Sequence, residues 1–344
     1  IEVTQPPLEE QKAIVEVVNE LFAEVEQLEE LTKERISLKE DFVTSALRRL
    51  TESDNTTQEW HYLQQHFSSF FTEKKNIKSL RETILQLAVQ GKLTVQWRKE
   101  NPSVEHASEL LKRVEVEKQQ LIAEKKIRKE KPLHPLEDLD KPYELPKGWA
   151  WSMIGAVSTI KGGKRIPKGY QLTDKKTPHK YIRVTDMKGG TVSFSRLKYI
   201  TEDVYEIIKA YTISKDDLYI TIAGTIGDVG IIPEELHNMN LTENAAKIII
   251  YEVDKIYLKI LLNSHVCQSQ FLDKVNQMAQ PKLALHRIAS TLIPVPPLKE
   301  QQAIVEKVNS LMALCDELEQ QVDNSQTQIE QLMQSCLKEV FEGE

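Results

Sequence analysis

A chain of 344 residues exceeds what one ordinary hydrophobic core organises, so two or three structural units are expected. Its formal net charge of −7, with 28% charged residues, argues against a uniformly basic DNA-coating protein and leaves local patches open. No run of 18 apolar residues is present to span a membrane, the Pro- and acid-containing first residues do not read as a signal peptide, and three cysteines without Cys-x-x-Cys spacing fit a reducing compartment. A cytoplasmic protein without membrane association is expected, and only 12 glycines point to much helix.

The first predicted element opens at Pro6-Pro7, since proline is tolerated in the first helical turn, where its missing N–H has no partner to lose. Apolar residues then recur at Ile14, Val18, Leu21, Val25, Leu28, Leu31, Leu38 and Phe42. Steps of four and three make a narrow coiled-coil seam, with one extra step of three that locally overwinds it. Residues 51–76 alternate polar and aromatic character and read as a loop with a short helix. Leu80–Gly91 is an apolar stripe ending in glycine, which suits a helix closed by a left-handed residue, and it echoes Leu332–Gly343. Ala107–Glu130 reads as a helix that ends in a basic run, Lys125, Lys126, Arg128, Lys129 and Lys131. Such a run is either a solvated face or a phosphate contact. Pro132, Pro135, Pro142 and Pro146 then mark a stiff linker and a domain boundary.

Beyond the prolines the pattern changes from heptads to short apolar runs. Tyr181–Thr185, Leu218–Ile222 and Lys247–Val253 read as strands, and Ile256–Val275 reads as a helix. Near the end the opening motif returns. Pro296–Glu306 repeats Pro6–Glu16 at an offset of 290, differing only at Glu9/Lys299 and Lys12/Gln302. A second seam follows through Ile304, Val308, Leu311, Cys315, Leu318, Val322, Ile329, Leu332 and Cys336, broken at Ser325. The reading is an α+β fold: a mixed, β-rich domain at 145–297, a helical linker and conserved region at 51–144, and two long helices at 1–50 and 298–344 that pair as an antiparallel coiled coil.

Charge is distributed unevenly. Residues 145–297 hold 16 Lys and 4 Arg against 8 Asp and 6 Glu, a net +6, which leaves −13 for the rest. Within 161–198 the count is 8 Lys and 3 Arg against Asp174 and Asp186, a net +9 in 38 residues. Basic residues set phosphate register, and polar or Arg side chains on loops reach base edges. Lys164, Arg165, Lys168, Lys180, Arg183 and Lys188 are therefore candidate DNA contacts, with Arg183, inside a predicted strand, equally readable as structural. Gln280 and Lys282 precede the last helix and are candidates at a helix N-terminus.

Catalytic patterns are missing. Asn101-Pro102-Ser103 lacks the second proline and the aromatic residue of an adenine methyltransferase tetrapeptide. Gly224–Gly230 has G-x-x-G-x-x-G spacing and precedes a strand and turn, so a glycine hairpin or bulge is the better reading. Gly91-Lys92 lacks the upstream glycine of a P-loop, and eight histidines show no metal-ligand spacing. The residues offer a reader and a spacer, with no catalytic, cofactor or metal site.

In this order, several segments resemble the DNA-specificity subunits of type I restriction-modification systems. They are Leu80–Leu93, Ala107–Leu111, Tyr143–Trp149, Tyr181–Met187, Thr221–Gly227, Gln280–Leu283 and the Pro-Pro-Leu-x-Glu-Gln helix openings. The resemblance implies a non-catalytic subunit that reads one half of a bipartite duplex target through residues 145–297. It implies two methyltransferase subunits as partners, which bind S-adenosylmethionine, together with restriction subunits, and paired helices that act as a spacer. The family has two recognition domains where this chain shows one. Either the chain is the C-terminal part of a longer subunit, or it is a half-subunit that works as a dimer or beside a second reader. A coiled-coil scaffold whose β-rich domain binds another protein, and a stand-alone enzyme with an unrecognised site, are the rival readings.

Overall fold

A computed structural model describes residues 5–53, 55–129, 132–133, 135–136, 141–272 and 282–342. The chain forms two compact units, residues 1–80 with 315–344, and residues 81–314. The class is α+β.

In the first unit, α1 (Leu8–Glu52) starts directly after the paired prolines. The side-chain amide of Gln11 donates to the Pro6 carbonyl at 2.7 Å, holding the entry of the chain onto its own first turn. Residues 51–76 are more helical than expected, with α2 (Thr56–Gln65) and α3 (Phe67–Phe70) folded back on the end of α1. Aromatic packing supplies the reason: Phe42 stacks on Phe70 at 3.8 Å between centroids, and Phe67 meets Trp60 and Phe71 edge-on. Val43, Leu47 and Leu50 are buried there, at roughly 1.5–3 kcal/mol for each fully buried side chain.

The remainder of the first seam behaves differently. Ile14, Val18, Leu21, Val25, Leu28, Leu31 and Leu38 are exposed, and so are Ile329 and Leu332 of the second seam. The expected pairing of the two seams is thus not made at these positions. Burial is confined to the last turns of α1, which the aromatic hairpin occupies, and to the first half of the second seam.

The second unit includes the end of α4 (Lys74–Val89), which stops at Gly91. Gly91 has φ +70°, as the glycine-terminated stripe predicts, and its N–H donates to the Ala88 carbonyl at 3.1 Å. The corresponding Gly343 lies outside the described residues. After α5 (Val95–Glu100) comes α6 (Ala107–Ala123), shorter than the expected 107–130. Lys125 adopts φ +57°, and the N–H groups of Lys126 and Ile127 both turn back to the Leu121 carbonyl. Residues 125–128 of the basic run therefore leave the helix as a turn, and Lys131 lies outside the described residues. Lys118 fastens α6 to the following region, donating to the carbonyls of Gly155 (2.5 Å) and Ser158 (2.9 Å).

The β-rich part begins with β1 (Ala150–Met153), α7 (Ile154–Val157) and β2 (Ser158–Gly162). It continues through β3 (Lys180–Ile182), β4 (Met187–Lys188), β5 (Thr191–Val192), β6 (Lys198–Tyr199) and α8 (Glu202–Ile208). Then come β7 (Thr212–Ile213), β8 (Leu218–Thr221), β9 (Val229–Ile231), β10 (Met239–Leu241) and β11 (Ala245–Ile250). Among the described residues two four-stranded sheets result, ordered β6-β3-β10-β7 and β2-β11-β8-β9, in which β3 and β10 run parallel and the other pairs antiparallel. Residues 222–228 make the turn between β8 and β9, so the glycine-spaced segment is a hairpin, as expected.

A further strand is shorter than the pattern suggested, and one expected helix is divided, with residues 273–275 of its span outside the described residues. The strand at Tyr181 ends at Ile182, because Arg183 and Asp186 close a 3-10 turn. The helix at 256–275 is two helices, α9 (Lys255–Asn263) and α10 (His265–Leu272), interrupted at Ser264. Asp254 caps α9 by accepting from the Tyr257 N–H at 2.8 Å. Following α11 (Leu285–Ala289), β12 (Leu292–Val295) pairs antiparallel with β1 and leads into α12 (Leu298–Glu342), of 45 residues.

The start of α12 is anchored by a buried carboxylate. Glu300 accepts from Thr94 Oγ1 (2.7 Å), Arg98 Nη1 (2.5 Å) and Trp149 Nε1 (2.8 Å). Beside it, the Gln301 amide donates to the Pro296 carbonyl at 2.9 Å and accepts from the Asp254 N–H at 2.8 Å.

The three thiols separate by environment. Cys267 and Cys315 are buried and Cys336 is exposed, and burial pushes the Cys267 thiol well above its ordinary value. Native protein treated with iodoacetamide is expected to take up about one label per chain, at Cys336, and three after denaturation. Mass spectrometry counts the labels, and rapid native labelling of Cys267 would contradict the buried assignment.

Candidate nucleic-acid interface

The basic island runs along the loop between β2 and β3, and its first residues are pinned to the connection between β10 and β11. Gly163 donates its N–H to the Ala245 carbonyl (3.0 Å), and Lys164 donates its N–H to the Leu241 carbonyl (2.9 Å). The approach is so close that a Cβ at position 163 would overlap the carbonyl oxygens of Leu241 and Thr242. Ile166 and Leu172 pack against a small core of Tyr181, Ile200, Val204 and Ile208, which holds the loop over β3 and α8. The loop is thus tethered to the sheet at Gly163 and Lys164 and to the small core at Ile166 and Leu172, with Lys168 exposed between them.

Lys164 is exposed, with its ammonium 5.5 Å from the centroid of the Tyr211 ring, and its carbonyl accepts from the Tyr181 hydroxyl at 2.9 Å. Arg165 is exposed and donates from Nε to Glu243 Oε1 at 2.6 Å. Burial acts to raise the Glu243 carboxyl, but the Arg165 hydrogen bond and further donors outweigh it and hold the group below the usual carboxylate range. Glu243 therefore stays ionised and partly neutralises Arg165. Lys282 reaches the same connection, its ammonium donating to the Glu243 carbonyl at 3.3 Å. It stands before α11 and is separated from the last helix by α11 and β12. Lys168 is exposed in the turn at 167–170.

The other candidates lie on different elements. Lys180 begins β3 and donates to the Glu235 carbonyl at 3.0 Å. Lys188 is exposed at the turn of the β4–β5 hairpin. Arg183 grips the buried Asp186 in a two-pronged contact, Nη2 to Oδ1 at 2.8 Å and Nε to Oδ2 at 3.0 Å, and also donates to the Arg196 carbonyl. Gln280 lies outside the described residues. The structure thus gathers Lys164, Arg165 and Lys282 at one connection, while the Lys180 ammonium turns to the Glu235 carbonyl and Lys188 stands on the β4–β5 hairpin. Sequence reasoning missed Glu243 and Tyr211, since neither belongs to the charge island that drew attention to the loop.

Residues 146–330 match the family model for the type I restriction modification DNA specificity domain. The chain belongs to the type I DNA specificity family. It is 31% identical over 322 residues to the specificity subunit of the type I restriction enzyme EcoAI of Escherichia coli, covering 91% of this chain and 53% of that protein. It is 29% identical over 339 residues to the EcoEI specificity subunit of Escherichia coli, covering 93% of this chain and 55% of the relative. This specificity chain therefore spans about half the length of the curated relatives it matches. Among solved structures it resembles the HsdS subunit from Thermoanaerobacter tengcongensis, with 18% identity, a TM-score of 0.41, and coverage of 76% of this chain and 58% of that one. The pinned basic loop falls inside the matched specificity domain, and the start of α12 lies inside it too.

Proposed function

We propose that this chain is a non-catalytic DNA-reading component of a type I restriction-modification assembly. Residues 145–297 read one half of a bipartite duplex target, and the long helices space that reader from a second one. Each helix of 45 residues spans about 68 Å at roughly 1.5 Å per residue, a length comparable to two turns of duplex. Two methyltransferase subunits, which carry S-adenosylmethionine, and restriction subunits dock on the helices and on residues 51–144. The observation that carries the reading is the pinned loop. Tethered at Gly163 and Lys164, it exposes Lys164 and Lys168 inside the matched specificity domain, with Arg165 and Lys282 both reaching Glu243 next to the tether.

The test is the combined variant Lys164→Ala, Arg165→Ala and Lys168→Ala. Loss of phosphate contacts flattens the dependence of log affinity on log salt by about 0.9 for each contact. Duplex titrations at several salt concentrations are expected to show a slope shallower by about 2–3 and a proportional loss of affinity at low salt. An unchanged slope rejects the loop as the interface. Absence of any salt-sensitive duplex binding by the unmodified chain would favour the scaffold reading, in which the β-rich domain binds a protein.

A further inference from the structure

A cleft of about 540 Å³ lies between the turn that ends α6 and the ribbon formed by β2 and β11. Lys125, Lys126 and Arg128 line it from the turn, Lys161 and Lys247 from the ribbon, and the Tyr211 ring from the side. No carboxylate is among its described lining residues. Lys126 pairs with Glu124 at 2.8 Å, and Lys247 lies 3.7 Å from Asp217. Among the described residues, no ion pair engages Lys125, Arg128 or Lys161.

Two features of the backbone make this more than a solvated patch. Lys161 and Lys247 stand directly opposite each other in the antiparallel register of β2 and β11. Like charges in that relation repel, and an anion bound between them removes the penalty. Burial lowers the proton affinity of Lys247, with Asp217 opposing and Lys161 adding to the effect. The second feature is the turn. Lys125 takes a left-handed conformation at φ +57°, a region that a side-chain-bearing residue enters at a cost, and the reversal brings residues 125–128 to the cleft. The cleft is also continuous with the loop described above, because Tyr211, one of its walls, lies under the Lys164 ammonium.

We infer that this cleft is a second phosphate-binding track, in which the turn after α6 grips the backbone of the same duplex that the 145–297 region reads. The inference rests on the DNA-reading proposal and extends it to residues 125–128, which lie before the segment matched by the family model. Contacts of this kind fix register without carrying sequence information. They predict a contribution that is the same for every duplex.

The experiment uses the full chain and a duplex of about 30 randomised base pairs, titrated over a range of salt concentrations. Combining Lys125→Gln, Lys126→Gln and Arg128→Gln is expected to flatten the log–log salt slope by about two and to weaken binding at low salt at least ten-fold. The matched variant Lys125→Arg with Lys126→Arg, Arg128 being kept, retains the slope, because the charges remain. An unchanged slope in the glutamine variant, while the Lys164/Arg165/Lys168 variant loses its own, overturns the track and leaves the proposed function standing. Equal losses in the glutamine and arginine variants mean that the turn is only structural, which also overturns it. Lost binding to immobilised polyglutamate with an unchanged duplex slope assigns the cleft to an acidic protein segment instead. If the unmodified chain shows no salt-dependent duplex binding, both proposals fall.

Discussion

Glu300→Ala is expected to destabilise the 81–314 unit by about 3–5 kcal/mol, the usual effect of removing one member of a buried ion pair. Glu300 is 1% exposed and accepts three hydrogen bonds, from a guanidinium, an indole and a hydroxyl. Truncation leaves the Arg98 charge, whose side chain is only 20% exposed, without its carboxylate. It also leaves the Trp149 N–H and the Thr94 hydroxyl without an acceptor, each at a desolvation cost of about 1–3 kcal/mol if no water enters. Glu300→Gln keeps an acceptor and the side-chain volume, so it is expected to cost less than alanine. Chemical denaturation followed by tryptophan fluorescence reads the effect, Trp149 being a direct reporter. A glutamine variant as unstable as alanine would show that charge, rather than hydrogen-bond geometry, carries the anchor, and a neutral alanine variant would refute the anchor altogether.

The second large effect concerns Arg183. Arg183→Ala is expected to cost about 3 kcal/mol, because Asp186 is 2% exposed and loses its two-pronged partner. Arg183→Lys restores the charge but not the fork, so it is expected to recover only part of the loss. Asp186 also accepts from the Arg183 backbone N–H at 3.0 Å, which survives both substitutions and limits the damage. The decisive comparison is between stability and DNA binding. A pair that only holds the 3-10 turn predicts lower melting temperatures for both variants and an unaltered salt slope at temperatures where they remain folded. A slope that flattens by about one, with little change in melting, would make Arg183 a phosphate contact instead.

That pair also illustrates what the residues could and could not disclose. The run Tyr181-Ile182-Arg183-Val184-Thr185 is a short apolar run of the kind strands use, and the three-residue reach from Arg183 to Asp186 turns its second half into a 3-10 element. Side-chain pairing overrode pattern. In the same way, the apolar period carries straight across Ser264, so one helix was expected where two exist. There the Ser264 hydroxyl donates to the Leu261 carbonyl at 2.6 Å, and the Gln268 amide donates to the Leu262 and Gly227 carbonyls. The end of α6 carries neither glycine nor proline, and a lysine in the left-handed region closes it unannounced. Where covalent geometry governs, as at Pro6-Pro7, Pro296-Pro297 and Gly91, local residues were sufficient. The charge island marked the loop correctly as a concentration of cations, but net charge is blind to how Glu243 and Asp186 occupy two of its arginines.

The repeated helix opening has a consequence for assembly of the chain itself. Gln11 closes onto Pro6 as Gln301 closes onto Pro296, so each copy builds the same first turn and each presents a glutamate, Glu10 or Glu300, at the same place within it. The receptacle of Thr94, Arg98 and Trp149 holds only one carboxylate. Chemistry alone does not choose between two nearly identical sequences. Chain connectivity does: β1 begins one residue after Trp149, and its partner β12 ends five residues before Glu300, with Ala150 registered against Val295. Closing that two-stranded ribbon raises the local concentration of Glu300 at the receptacle far above that of Glu10, whose approach requires a much longer loop. Selection between the copies is therefore a matter of tethering, and a chain with a slackened β1–β12 ribbon would fold with its two openings in competition.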